Sequence, residues 1–112
     1  MSNENKTYDV CPLELVQKVV GGKWKLIILW ALRGTKRFNE LYRLFPGITQ
    51  AMLTKQLREL ESSGFVNRKI YNEIPPKVEY SLTEVGETFL PILQSIHHWG
   101  QENYDLLNKN NE

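Results

Sequence analysis

The chain has 112 residues, 41% of them hydrophobic, a single cysteine, and 14 basic against 13 acidic side chains for a formal net charge of +1. That length makes one domain able to bury a core of its own, and a lone Cys11 excludes an internal disulfide and agrees with a reducing compartment. The longest apolar run, Leu26 to Leu32, is far short of the ~20 residues that span a bilayer, and residues 1–9 are too polar for a signal peptide, so a soluble cytoplasmic protein without membrane contact is expected.

Residues 1–8 read as a disordered N-terminal tail, residues 9–107 as the folded domain and residues 108–112 as a disordered C-terminal tail. Order begins at Cys11-Pro12, with Pro12 at the first position of a helix and Cys11 as its N-cap. Leu13, Val16 and Val20 recur at helical spacing until Gly21-Gly22 ends the helix. Lys23 to Leu32 is apolar nearly all round, as befits a helix at the centre of a small domain. Gly34 stops it, Lys36-Arg37-Phe38 has room for a very short strand, and Asn39 to Phe45 forms another helix with Leu41, Leu44 and Phe45 on its core side. Pro46-Gly47-Ile48 then breaks the chain tightly.

The next stretch carries both ends of a helix. Thr49 is a good N-cap, and Ile48 before it can pack on Leu53 as a hydrophobic staple. At the far end Gly64 can adopt the left-handed cap conformation and Phe65 can close back on Leu60. Leu53, Leu57 and Leu60 fall within about 60° of one another and make one apolar stripe. Gln50, Ala51, Thr54, Lys55, Arg58 and Ser62 lie away from it, and carboxylates enter only at Glu59 and Glu61. Helix, short Gly-containing turn and capped helix is the helix-turn-helix order.

After Gly64 the period changes from 3.6 to 2, so residues 65–71 and 78–82 read as strands joined by a loop stiffened by Pro75-Pro76. A hairpin in this place is a wing, and Arg68, Lys69 and Lys77 lie on or beside it. Thr83 caps a last helix of about 20 residues with the stripe Val85, Phe89, Ile92, Leu93, Ile96, Trp99, Tyr104 and Leu107, bent near Glu87 by Pro91. Its apolar surface exceeds what a small core covers, which points to a second copy of the chain.

Charge is unevenly spread. Between Lys23 and Lys77 there are eleven basic residues against four acidic. A basic middle built on a helix-turn-helix and a wing suits a polyanion, and double-stranded DNA in particular.

Order and residues together resemble the HxlR-type transcriptional regulators, a branch of the MarR-like winged-helix proteins. The resemblance covers about Cys11 to Trp99 and rests on these segments in order: Cys11-Pro12, Gly21-Gly22-Lys23-Trp24, Arg37-Phe38-Asn39-Glu40-Leu41, Pro46-Gly47-Ile48, Met52-Leu53-Thr54 with Leu57-Arg58-Glu59-Leu60-Glu61, Gly64-Phe65-Val66 with Arg68, Pro75-Pro76-Lys77-Val78-Glu79-Tyr80-Ser81-Leu82-Thr83, and Gly86 with Pro91. It implies a mainly α fold with a small β-hairpin, a winged helix-turn-helix, and a homodimeric bacterial-type regulator of nearby genes, more often repressing than activating. Carried onto this chain, the recognition helix is Thr49 to Ser63, with Gln50, Ala51, Thr54, Lys55 and Arg58 in the groove. The wing spans Asn67 to Leu82, and the first and last helices form the dimer through Leu13, Phe89, Ile92, Leu93, Ile96, Trp99 and Tyr104. Lys36, Arg37, Arg68, Lys69 and Lys77 suit phosphates. Arg58 or Lys55 could pair with guanine and Gln50 with adenine, and two recognition helices about 34 Å apart would require a palindromic operator.

Some members of the family respond to oxidants or electrophiles through a cysteine before the first helix. Cys11, at a helix N-terminus that favours thiolate, fits either that role, with a small oxidant or electrophile as partner, or simple packing at the dimer contact. His97 and His98 point about 100° apart and do not form a metal pair. Neither a metal nor a cofactor is expected. With no paired acid and base, phosphate-binding glycine loop or nucleophile beside a base, the chain does not read as an enzyme. The competing reading is a winged helix that serves as a protein–protein module without specific DNA binding.

Overall fold

The computed structural model describes residues 9–110; the tail expected over residues 1–8, and residues 111–112 of the second tail, lie outside the described residues. Helix α1, Pro12–Val20, starts with Pro12 in its first turn and Cys11 as N-cap. Helix α2, Lys25–Ala31, buries Ile28 and Leu29 completely, and with Val20, Trp24 and Leu32 it forms one side of the core. The helix is less enclosed than its composition predicts, since Ile27 is 43% exposed on its far flank.

Strand β1, Lys36–Arg37, runs straight into α3, Phe38–Leu44. The Arg37 N–H donates to Glu40 Oε1 at 2.8 Å, which satisfies one of the free donors at the helix start. Leu41 is fully buried, as expected. Leu44 is not: it is 52% exposed. Phe45, the C-cap, leaves helical geometry at φ −120° and ψ 86° and sets its ring 6.4 Å from Trp24, so it fills the place that Leu44 was expected to share.

Helix α4, Gln50–Ser62, has the caps its sequence specifies. Thr49 Oγ1 accepts from Met52 N at 3.0 Å. At the other end Phe65 N donates to Leu60 O and Gly64 N to Glu61 O, both at 3.0 Å, with Gly64 at φ +84°. These are the paired bonds of a Schellman cap, where a left-handed residue is required. Ile48, Leu53, Leu57 and Leu60 are all buried in the same core. Each fully buried leucine contributes about 2 kcal/mol, so the helix is held firmly by its inner stripe.

Strands β2, Val66–Tyr71, and β3, Lys77–Leu82, form the hairpin, and β1 joins as a third antiparallel strand to give the order β1-β3-β2. The register pairs Arg68 with Tyr80 and Lys69 with Glu79; on the other edge Lys36 pairs with Tyr80 and Arg37 with Glu79.

The single bent helix expected after Thr83 is three segments: α5, Glu84–Thr88; α6, Leu90–Glu102; and α7, Tyr104–Asn110. The first break, at Phe89, follows from Pro91 in the first turn of α6, which has no N–H to continue the ladder. The second break is at Asn103, whose side-chain amide donates to Trp99 O at 3.0 Å, competing with its own backbone N–H for the same carbonyl. Helix α7 also extends through residues 108–110, which were expected to be tail. No helix among the described residues is long and apolar enough to cross a membrane.

Candidate nucleic-acid interface

With Leu53, Leu57 and Leu60 turned inward, the outward apex of α4 carries Ala51, Lys55 and Ser62, all exposed. Arg58 is exposed beside them, Gln50 is exposed at the first position of the helix about 100° round from Ala51, and Thr54 is half-buried. Glu59, on the opposite flank, does not reach this apex. Lys25 Nζ approaches its Oε1 to 2.6 Å and, through that hydrogen bond, holds the Glu59 carboxyl below its usual range. The pair neutralises a carboxylate beside the outward face of α4 and ties α4 to α2. It also removes Lys25 from the pool of cations available to a polyanion.

The strand register divides the predicted phosphate contacts between two faces of the sheet. Directly paired residues point the same way, so Lys36, Tyr80 and Arg68 share the inner face, where Tyr80 is buried. Arg68 there lines a groove of about 310 Å³ together with Phe38, Thr54, Arg58, Glu61 and Tyr80. Arg37, Glu79, Lys69, Tyr71 and Lys77 share the outer face. Lys69 and Lys77 place their ammonium groups 4.8 and 4.6 Å from the Tyr71 ring centre. The Tyr71 hydroxyl, ahead of the Lys77 and Arg37 charges, holds the Glu79 carboxyl below its usual range. Lys77 is also 3.4 Å from Glu79, so it is the most committed of these cations.

A model of the HxlR-like helix-turn-helix family matches residues 19–108. The chain belongs to that family. It is 50% identical over 111 residues to YybR, an HTH-type transcriptional regulator of Bacillus subtilis strain 168, covering 96% of this chain and 89% of YybR. Among solved structures it superposes on the redox regulator HypR in its reduced form with a TM-score of 0.84 and 52% identity, over 88% of this chain and 99% of HypR. The reduced form of the transcriptional regulator YodB from B. subtilis gives 0.73 and 36%, over 83% of this chain and 93% of YodB. This HxlR-like chain is accordingly a transcriptional regulator of winged helix-turn-helix fold and not an enzyme.

The residues predicted for a dimer in this HxlR-like domain separate into two groups. Leu93 is buried in the chain's own core, and Phe89 is half-buried with its ring 6.0 Å from Phe65, so both are already engaged within the protomer. Leu13, Ile92, Ile96, Trp99 and Tyr104 are between 46% and 76% exposed. Val85 on α5 and Leu106 and Leu107 on α7 are exposed as well. Cys11 is exposed at the start of α1 and makes no side-chain cap bond. His97 stacks on Trp30 with ring centres 4.7 Å apart, while His98 lies 3.3 Å from Glu102.

Sequence reading missed Tyr71, which sits between two lysines; the alternation Lys69, Tyr71 on one strand face was the available signal. It also missed the groove that brings Glu61 and Tyr80 to Arg58 and Arg68, for which strand register had to be known.

Proposed function

We propose that this regulator binds a palindromic double-stranded DNA operator as a homodimer in the cytoplasm, acts as a repressor, and responds to oxidants or electrophiles through Cys11. The carrying observation is the outward face of α4: its leucines are buried, its flank carboxylate Glu59 is held by Lys25, and Gln50, Ala51 and Lys55 stand exposed near its N-terminal half. The N-terminal residues of a recognition helix reach base edges, where Gln suits adenine and Lys suits guanine. Arg37, Lys69 and Lys77 on the outer face of the sheet supply phosphate contacts.

Dimerisation is supported by the exposed stripe Ile92, Ile96, Trp99 and Tyr104 together with Leu13 of α1. An apolar surface of this kind is costly to leave in water and is covered by a second copy. Cys11, two residues from Leu13, lies at the edge of that surface, where modification of the thiol would alter the relation of the two copies. Similarity to HypR, solved in both reduced and oxidised forms, and to YodB, solved reduced and after diamide treatment, supports the thiol response.

The test is binding of the reduced and the diamide-treated protein to the DNA upstream of its own and neighbouring genes. Tight sequence-dependent binding that falls after treatment in the parent, and persists in Cys11→Ser, is expected. Quantitative modification of Cys11 with unchanged binding would remove the thiol reading and leave the DNA reading standing. Failure to select any duplex from a random pool would remove the DNA reading itself.

A further inference from the structure

We infer that Arg58 and Arg68 together clamp one backbone phosphate of the operator between the recognition helix and the wing, so that Arg58 positions the helix on DNA and does not read a base. The inference rests on the DNA reading given above and assigns a role within it.

Three observations lead there. The first is where Arg58 sits on α4. It lies eight residues beyond Gln50, about 12 Å along the axis, and about 50° from the outward apex toward Thr54 and Glu61. Base edges are read by the N-terminal end of such a helix. The second is convergence: Arg58 from α4 and Arg68 from the inner face of β2 line one groove with Thr54, Glu61, Phe38 and Tyr80. The third is charge. Neither arginine forms an ion pair among the described residues, and Glu61 in the same groove forms none either. Two arginines lining one groove with a single unpaired carboxylate leave a surplus positive charge at the seam where helix and wing meet.

A phosphodiester answers that arrangement. Guanidinium forks match phosphate oxygens in geometry and charge. Duplex backbone is the phosphate source this seam would meet with α4 in a groove and the wing beside it. Glu61 opposes the phosphate and moderates its grip, so the clamp holds in register without dominating affinity.

The experiment measures binding of the parent and of Arg58→Ala, Arg68→Ala, the double variant and Glu61→Gln to the operator and to a scrambled duplex, each across a salt series. Both arginines are exposed, and thermal melts verify that each variant is folded. Each single arginine variant should lose roughly three- to tenfold in affinity for both duplexes alike, as expected of a phosphate contact. The double variant's slope of log affinity against log salt should fall by about 0.9, one phosphate's worth, and not about 1.8. Glu61→Gln should tighten binding to both duplexes several-fold.

An Arg58→Ala loss that is tenfold or more greater on the operator than on the scrambled duplex would make Arg58 a base reader and overturn the clamp. A slope change near 1.8 in the double variant would assign two separate phosphates and overturn it as well, as would unchanged binding in all variants. These results leave the parent's binding intact and so overturn the clamp alone. Absence of any specific duplex binding by the parent would overturn the clamp and the DNA reading together.

Discussion

Replacing Gly86 by alanine should destabilise the protein more than the same change at Gly64, although of the two only Gly64 has a backbone conformation that disfavours a side chain. Gly86 sits in the first turn of α5, where a Cβ would stand 2.3 Å from Phe65 O and 3.3 Å from both Phe65 C and Leu82 Cβ. Real Cβ contacts stay above 3.0 Å, so the backbone at Phe65 must retreat by at least roughly 0.7 Å. It has little room to do so. Phe65 N donates to Leu60 O at 3.0 Å and Phe65 O accepts from Thr83 N at 3.1 Å. Thr83 Oγ1 donates to Gly64 O at 2.6 Å and accepts from Gly86 N at 2.9 Å. The end of α4, the start of β2 and the start of α5 are knit at this point. Overpacking against backbone costs about 2–3 kcal/mol, and at about 4–8 °C per kcal/mol for a domain near this size the melting temperature should fall by roughly 10–20 °C. At Gly64, φ +84° with nothing within 4 Å of the added Cβ leaves only the left-handed strain, about 1–2 kcal/mol and roughly 5–10 °C. Thermal unfolding followed by circular dichroism or calorimetry reads both. Gly86→Ala melting within about 3 °C of the parent, or less destabilised than Gly64→Ala, would show that the junction yields and that the packing argument is wrong.

Thr49→Ala removes the hydroxyl that accepts from Met52 N at 3.0 Å; a loss of about 1 kcal/mol, read from denaturant titration, is expected for an N-cap. Ile92→Asp places a charge on a residue 51% exposed in the protomer, so the variant should stay folded by circular dichroism yet sediment as a monomer where the parent sediments as a dimer; a dimer would refute the proposed face. The Lys25 hydrogen bond lowers the Glu59 pKa in the folded state, so its contribution to stability is present above the unfolded carboxylate pKa and is lost as pH falls through the lower folded value. The stability difference between the parent and Glu59→Gln should therefore shrink as acid is added below the ordinary carboxylate range, and it should also shrink with salt because the Glu59 side chain keeps 42% of its surface in solvent. A difference constant from neutral to strongly acidic pH would separate Glu59 from Lys25.

The helix ends were legible because caps are local. Thr49, Gly64 and Thr83 specify their bonds through residues within four positions in the chain, and the structure makes those bonds. Pro91 announced a break for the same reason, although a break placed at Phe89 and not near Glu87 depends on how the α6 ladder restarts. Asn103 carried a weaker signal. An Asn within a helical stripe competes for backbone partners, but nothing local says that the competition will separate α6 from α7. Leu44 failed differently. Helical spacing made it equivalent to Leu41, and only the departure of Phe45 from the helix toward Trp24 decided which of them the core would take.

The candidate interface shows the same division between local and non-local information. That adjacent residues on a strand face opposite ways follows from the pleat, so Arg68 and Lys69 could be assigned to different faces from sequence alone. Which face each one meets is set by tertiary neighbours: Tyr80 and α4 for Arg68, Glu79 and Tyr71 for Lys69. The consequence is functional. Five basic residues that read in sequence as one phosphate-binding group, Lys36, Arg37, Arg68, Lys69 and Lys77, are distributed by register over two faces of the sheet. On the proposed DNA reading, a straight duplex seated on α4 should meet Arg68 at the helix–wing seam, whereas Arg37, Lys69 and Lys77 lie on the opposite face of the sheet. Mutating the two sets separately should therefore give different dependence on duplex length, and a short duplex ending at the seam should be insensitive to Lys69→Ala while still responding to Arg68→Ala.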